Sequence, residues 1–359
     1  MLIYQLLDSS RKRVPWSTMR AILKMCNLPV GRGWEDTIKK LADGSKADEF
    51  ADGFDQLNEW YCNHLLIGEK AVKLFSVPRR RIDNLITVLA SHKIEKTIFH
   101  ETYPFPLADE MLIGIDSLPK LVEIRNLDTS LAIVFCTKRF FTERTEIDPE
   151  GLNTEARKVL GDYDELVGIK RHARQFFDTV ILWKNQDFVE VRVDIANGMP
   201  SQERSQVFIQ VIKQFNTLAK QKLSIETALK DSINFFSLID CLYESEEGKV
   251  GELAFTTDEG SVKFEKMRRG DVDLRDETYH RAGRNAVDHI TPYRLAILWK
   301  FPLSDDLETQ PELLLPGQVR TLNSLTQELG EVVIRKCSGL EDYNFVLGKI
   351  VFYLNNRDH

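Results

Sequence analysis

The sequence lacks most of the motifs from which a catalytic site is ordinarily read. It has no Gly-x-Gly-x-x-Gly, no Gly-Lys-Ser/Thr phosphate loop and no Gly-x-Ser-x-Gly elbow, which argues against the standard nucleotide-binding and hydrolase sites. Histidine is scarce, at seven in 359 residues, and no pair stands at a ligand spacing with a complementary cysteine or histidine pair. Cys62-Asn63-His64 offers two ligand types, but a helix turns positions two apart to different faces. No metal and no cofactor are therefore expected. The five cysteines (Cys26, Cys62, Cys136, Cys241, Cys337) are scattered and form no Cys-x-x-Cys pair, the usage of reduced thiols in a cytoplasmic protein. No run approaches eighteen apolar residues, so a membrane-spanning helix is excluded and no membrane partner is expected. The opening residues, Met1 to Asp8, lack the basic region and cleavage site of a signal peptide.

What is present is ordinary for a soluble globular chain: 43% apolar and 29% charged residues, in a length that suits two or three domains. The net charge of -7 is unevenly spread. Residues 1–100 hold 16 Lys+Arg against 12 Asp+Glu, whereas the remainder holds 32 against 43. A basic front on an acidic body fits a module that faces an anionic partner, although solvated surfaces carry such charge without any partner.

Periodicity predicts an α+β fold. Residues 1–95 read as a helical, mildly basic domain, in which Phe50, Phe54, Leu57, Tyr61 and Leu65 recur at spacings of three and four. Tyr103-Pro104-Phe105-Pro106 breaks the pattern and marks 96–119 as a linker or crossover. Two α+β units follow, 120–245 and 246–359, with antiparallel hairpins and packed helices. Strands are expected at 121–125, 130–137 and 140–147, and a helix at 153–177. The runs 178–184 and 187–194 read as a hairpin with one wet face, because apolar and charged residues alternate along the second. Helices at 202–220, 225–243 and 317–329 and strands at 252–256, 261–266, 293–301, 331–336 and 344–353 complete the expectation. Ile-Leu-Trp-Lys occurs at 181–184 and again at 297–300, a short repeat that suggests two similar halves.

The most informative segment is 17–41. An apolar helix with a basic edge leads into Asn27-Leu28-Pro29-Val30-Gly31-Arg32-Gly33-Trp34, then into a short helix ending Lys39-Lys40-Leu41. It resembles the SAP-type helix-extended-helix motif of DNA-associated proteins. That family shows a leucine-bearing first helix, a Gly-Leu-Pro-like turn, a Gly-x-Lys-like step and a basic end to the second helix. Here Asn27 replaces the glycine and Trp34 stands where lysine is common. The resemblance implies that Arg32, Lys39 and Lys40 approach phosphates, with Trp34 at the binding edge. The structural alternative is a helix corner in which Trp34 packs inside. The triplets Arg11-Lys12-Arg13 and Arg79-Arg80-Arg81 add the densest basic clusters, suited to sequence-independent phosphate contact or to solvated turns.

Two further constellations stand out. Asp178 and Glu190-Val191-Arg192 resemble the acidic-x-Glu-x-Lys arrangement of restriction-type nucleases, with Arg192 in place of the lysine. Arginine stays protonated and is no tunable base, and strand alternation places Glu190, Arg192 and Asp194 together as ordinary solvent-facing charges. Arg268, Arg269, His280, Arg281 and Arg284 make a polar stretch that could hold an anionic ligand or simply form an exposed loop. The leading expectation is a nucleic-acid-associated accessory or recognition protein that contacts DNA through its N-terminal domain. A role in defence against foreign DNA would suit that reading. The alternatives are a protein-interaction or assembly subunit and, as the only enzyme considered, a metal-dependent nuclease.

Overall fold

The computed structural model describes residues 2–42, 49–161, 163–195, 199–268, 272–304 and 307–356. Four helices open the chain: α1 (Leu2–Arg11), α2 (Trp16–Met25), α3 (Trp34–Leu41) and α4 (Ala51–Ile67). A strand, β1 (Lys70–Ser76), then precedes α5 (Arg79–Leu89) and α6 (Ile98–Thr102). The expected wholly helical front is corrected by this strand. Within it Val72 and Leu74 face one core and Ala71 and Phe75 the other, an alternation hidden between two strong helices.

The next unit is a meander of β2 (Lys120–Asn126), β3 (Ser130–Ile147), β4 (Leu166–Trp183) and β5 (Phe188–Asp194), with α7 (Thr154–Leu160) at the tip between β3 and β4. The helix expected over 153–177 is thus mostly strand. Every residue of β3 pairs with β4, from Ser130 opposite Trp183 to Ile147 opposite Leu166, and that ladder overrides the local helical pattern. Helices α8 (Ser201–Leu223) and α9 (Leu238–Glu244) follow, the second much shorter than the expected 225–243. The remainder comprises β6 (Lys249–Thr257), β7 (Val262–Lys266), α10 (Thr278–Ala286), β8 (Ile290–Leu298), β9 (Phe301–Ser304), β10 (Leu307–Thr309), β11 (Glu312–Leu315), α11 (Val319–Leu322), β12 (Val332–Arg335) and α12 (Leu340–Asn355). The strand expected at 344–353 is helix α12, whose buried Tyr343, Val346, Leu347 and Ile350 recur at three and four. The helix expected at 317–329 is reduced to α11.

One ten-stranded antiparallel sheet dominates, in the order β2-β3-β4-β5-β1-β12-β11-β8-β6-β7, while β9 and β10 form a separate pair. All three expected units contribute strands to that sheet, with β1 seated between β5 and β12. The two Ile-Leu-Trp-Lys copies end β4 and β8, each the third strand outward from the β1/β12 centre. Alternating strand residues feed two cores. One face packs against α1, α2, α4, α9 and α12, and the other against α5 and α8. No helix among the described residues is long and apolar enough to cross a membrane.

Candidate functional site: a charged cleft at the root of the long hairpin

The hairpin β4–β5 forms as expected, but its wet face is dry. Every residue of β5 is buried, including Glu190, Arg192 and Asp194. Val189, Val191 and Val193 point to the α5/α8 core, so the three charged residues point to the opposite face, beneath α4 and α12. The expectation of solvent-facing charges is corrected: the same alternation serves a sheet that helices cover on both sides.

Those charges belong to two networks. In the first, Glu190 accepts bonds from Arg192 Nε (2.9 Å), Arg192 Nη2 (2.8 Å), Trp183 Nε1 (3.1 Å) and the Tyr343 hydroxyl (2.6 Å). Arg192 also donates to the Leu66 carbonyl and lies 4.0 Å over the Tyr343 ring. Burial opposes the charge on Arg192, but Glu190 beside it holds the guanidinium protonated. This network is closed and structural, with both carboxylate oxygens occupied.

In the second network, Asp178 of β4 accepts from the Asp194 amide (2.9 Å), from Thr137 Oγ1 (3.2 Å) and from Arg139. Arg139 also donates to the Asp194 carbonyl at 2.6 Å. Asp194 Oδ2 accepts the Phe177 amide (3.1 Å) and both terminal nitrogens of Arg13 (3.2 Å each), while Lys70 Nζ stands 3.4 Å from Oδ1. Burial works to raise the Asp194 pKa, yet Lys70 and Arg13 hold it at about 2. Burial pulls Lys70 down to about 8 against the attraction of Asp194. His64, also buried, is pushed down to about 3 by burial and then by Arg13 and Lys70, so its imidazole is neutral. Among the described residues its Nδ1 has no hydrogen-bond partner.

Three cations, Arg13, Lys70 and Arg139, thus surround two aspartates. Over the Arg13–Asp194 pair opens a cleft of about 330 Å³, walled by Lys12, Arg13, His64, Glu69, Asp109, Arg174 and Asp194 among others. Five separate stretches converge there: the end of α1, the end of α4, the 106–112 loop, the middle of β4 and the end of β5. A second hollow lies between the β3 segment around Arg139 and Phe140 and the start of α8. The charged side chains lining the cleft are balanced, Lys12, Arg13 and Arg174 against Glu69, Asp109 and Asp194.

The structure separates the residues singled out in the sequence. Asp178 and Glu190 project from opposite faces of the sheet, so they do not converge on one metal or scissile bond. Among the described residues, no group of three or more His, Cys, Asp or Glu is placed to hold a metal ion. Arg13 is drawn into the network. Arg11 pairs with Glu35 at 2.6 Å, Lys12 with Asp8 at 2.9 Å and Lys40 with Asp36 at 3.1 Å, all at the surface. Arg32 and Lys39 are exposed. Trp34 is half-buried and packs edge-to-face on Trp16, with centroids 5.4 Å apart. Asn27 adopts φ 55°, and the Leu28 amide closes onto the Leu23 carbonyl at 2.8 Å. That is a left-handed helix cap, in which asparagine is the residue best able to replace glycine. Arg79, Arg80 and Arg81 open α5 on the other side of the sheet, away from α1–α3, and Arg79 donates to Asn185. His280 is buried between Tyr243 (3.0 Å) and Glu265 (2.5 Å), Arg268 and Arg281 are exposed, and Arg284 lines a separate hollow with Arg275. Arg269 lies outside the described residues.

Sequence reasoning missed Lys70, Arg139, Arg174 and the roles of His64 and Asp194. Charged residues inside strongly apolar strands were the available signal, since such positions demand a partner. The partners come from segments far apart in the chain, which periodicity does not connect. Comparison with protein families, with curated proteins and with solved structures finds no match to this chain.

Proposed function

We propose that this chain binds DNA, with a backbone phosphate seated in the cleft between the N-terminal helices and the root of the β3–β4 hairpin. One observation carries the reading: an open cleft brings Lys12, Arg13 and Arg174 together from the end of α1 and from β4, with Lys70 buried beside the Asp194 that lines it. A phosphate oxygen there meets the Arg13 guanidinium already fixed by Asp194, so little ordering of that side chain is needed on binding. The exposed Arg32 and Lys39 extend the cationic surface along α3, on the same side of the sheet. The contact is electrostatic and independent of base sequence, as expected for an accessory protein. A second reading, a subunit of an assembly, is favoured by the long β3–β4 hairpin, which carries exposed apolar side chains.

The test is the affinity for a DNA duplex across a salt series, for the full chain and for a Lys12→Glu/Arg174→Glu variant. The variant is expected to bind more weakly at low salt and to lose about 1 in the slope of log K against log salt for each phosphate contact removed. Absence of binding at low salt, or an unchanged slope in the variant, refutes the proposal. Preference for RNA over DNA of the same length would redirect the substrate class.

A further inference from the structure

The two end strands of the ten-stranded sheet differ in how they meet solvent. At one end β2 is sheltered: its pairing with β3 carries a bulge between Leu121 and Glu123, and only its last residue, Asn126, is exposed. At the other end β7 lies outermost, beside β6, and four of its five residues are exposed. It contains no proline, and it pairs with β6 from Val262 to Lys266 without a bulge. Among the described residues no strand pairs with its outer side. Such an edge is a template for a further strand.

Two backbone bonds fix which groups of β7 point outward. The Thr257 amide donates to the Ser261 carbonyl at 3.0 Å, and the Met267 amide to the Gly251 carbonyl at 2.8 Å. Ser261, Lys263, Glu265 and Met267 therefore turn their backbone groups to β6. The N–H and C=O of Val262, Phe264 and Lys266 point away from the sheet. Side chains alternate between the two faces. Val262, Phe264 and Lys266 share one, while Lys263 and Glu265 share the other, opposite Phe255 and Leu253. Val262 and Phe264 are 56% and 59% exposed, and the Lys266 ammonium stands 3.2 Å from Glu252. Lys263 is exposed and makes no ion pair among the described residues. Glu265 receives His280 Nδ1 at Oε2, which leaves Oε1 for another partner.

A second copy of β7, turned about a two-fold axis normal to the sheet, can bond to these outward groups only where outward residues oppose one another. That leaves Lys263, Phe264 or Glu265 on the axis if the strands are to overlap at all well. With Lys263 there, lysine faces lysine; with Glu265 there, glutamate faces glutamate. With Phe264 on the axis the whole strand pairs. Val262 then exchanges backbone bonds with Lys266, Phe264 with Phe264, and each Lys263 faces the second copy's Glu265. Those two Lys–Glu contacts fall at non-hydrogen-bonded positions, where opposed side chains come closest. A lysine on an edge strand ordinarily discourages pairing, but here it rejects two registers and favours the third.

We infer that this chain forms a two-fold dimer by antiparallel pairing of its β7 edges, with Phe264 on the axis and Lys263 of each copy against Glu265 of the other. The two sheets then become one, and the contact is self-complementary and closed. The inference does not depend on DNA binding, because five strands separate β7 from β5 and the cleft beside it.

Sedimentation equilibrium of the nuclease-treated full chain tests it, together with a Lys263→Glu variant and oxidative cross-linking of Phe264→Cys and Val262→Cys variants. The wild-type chain is expected to dimerise and to stop at the dimer. Lys263→Glu sets glutamate against glutamate twice and should weaken dimerisation at least about tenfold. Residue 263 is exposed, so this variant keeps the fold, and far-ultraviolet circular dichroism with melting checks that. Residues opposed on the axis stand about 5.5 Å apart at Cα, within disulfide reach, so Phe264→Cys should cross-link two copies. The two Val262 positions fall about 14 Å apart in that register, so Val262→Cys should not, with the oxidised wild type as control. A monomeric wild type would leave the edge to a strand of another protein, and assemblies growing past the dimer would mean pairing with a different surface; either result overturns the inference. So would dimers insensitive to Lys263→Glu, dimers in which Phe264→Cys fails to cross-link, or cross-linking of Val262→Cys as complete as that of Phe264→Cys.

Discussion

His64 gives the most direct read-out of the buried cation cluster. Its imidazole sits against Arg13 and Lys70, and burial together with those cations pushes its pKa from 6.5 to about 3. In the unfolded chain it titrates near 6.5. The folded pKa is depressed, so above 6.5 both states are neutral at this group and it exerts no pH-dependent penalty. As pH falls below 6.5 the unfolded state takes up a proton that the folded state refuses, and stability declines until pH reaches the folded value. Each pH unit in that window is worth about 1.4 kcal/mol, so His64 alone removes about 2 kcal/mol between pH 7.5 and pH 5. The assay is urea denaturation at the two pH values for the wild-type chain and for His64→Gln, which keeps a neutral polar side chain and cannot titrate. The wild type should lose about 2 kcal/mol more than the variant over that interval. Equal losses would refute the reasoning, because they would mean that the imidazole does not sit in a dry, cationic setting. The outcome bears on function as well, since the same setting would attract a phosphate.

Further predictions address the two networks separately. Asp194→Asn leaves Lys70 and Arg13 without their shared counter-charge and should cost about 3–5 kcal/mol of unfolding free energy, with part recovered when Lys70→Met is added. No recovery in the double variant would show that the two side chains do not share a site. Glu190→Gln strands the buried Arg192 and should destabilise by a similar amount, about 3–5 kcal/mol in thermal or urea unfolding. At temperatures where that variant stays folded, its affinity for DNA should equal that of the wild type, since the Glu190 network is sealed from the cleft. A specific loss of affinity would place Glu190 in the binding machinery.

Some of this was legible from the residues in order, and some was not. The turn Asn185-Gln186 between two β-branched runs was enough to define the β4–β5 hairpin, and the three-four spacing from Phe50 to Leu65 was enough to define α4. These are local patterns, in which neighbouring residues themselves carry the periodicity. Strand β1 and the outer half of β4 were missed, because short or polar strands acquire their identity from the partner they pair with, and that partner is remote in sequence.

The sequence by itself determined an α+β chain with no membrane-spanning helix, and it determined which residues alternate along each strand. The tertiary structure alone decided what that alternation meant. Glu190, Arg192 and Asp194 occupy every second position of β5, a pattern that serves equally for a wet face or for a buried polar network. Layers on both sides of the sheet made it the second, and a charge taken out of water must then find its counter-charge. Arg13, Lys70, Arg139, Asp178 and Asp194 meet because the fold brings their backbones together, and the physical reason is non-local: a buried ion is stable only where distant segments supply its partner.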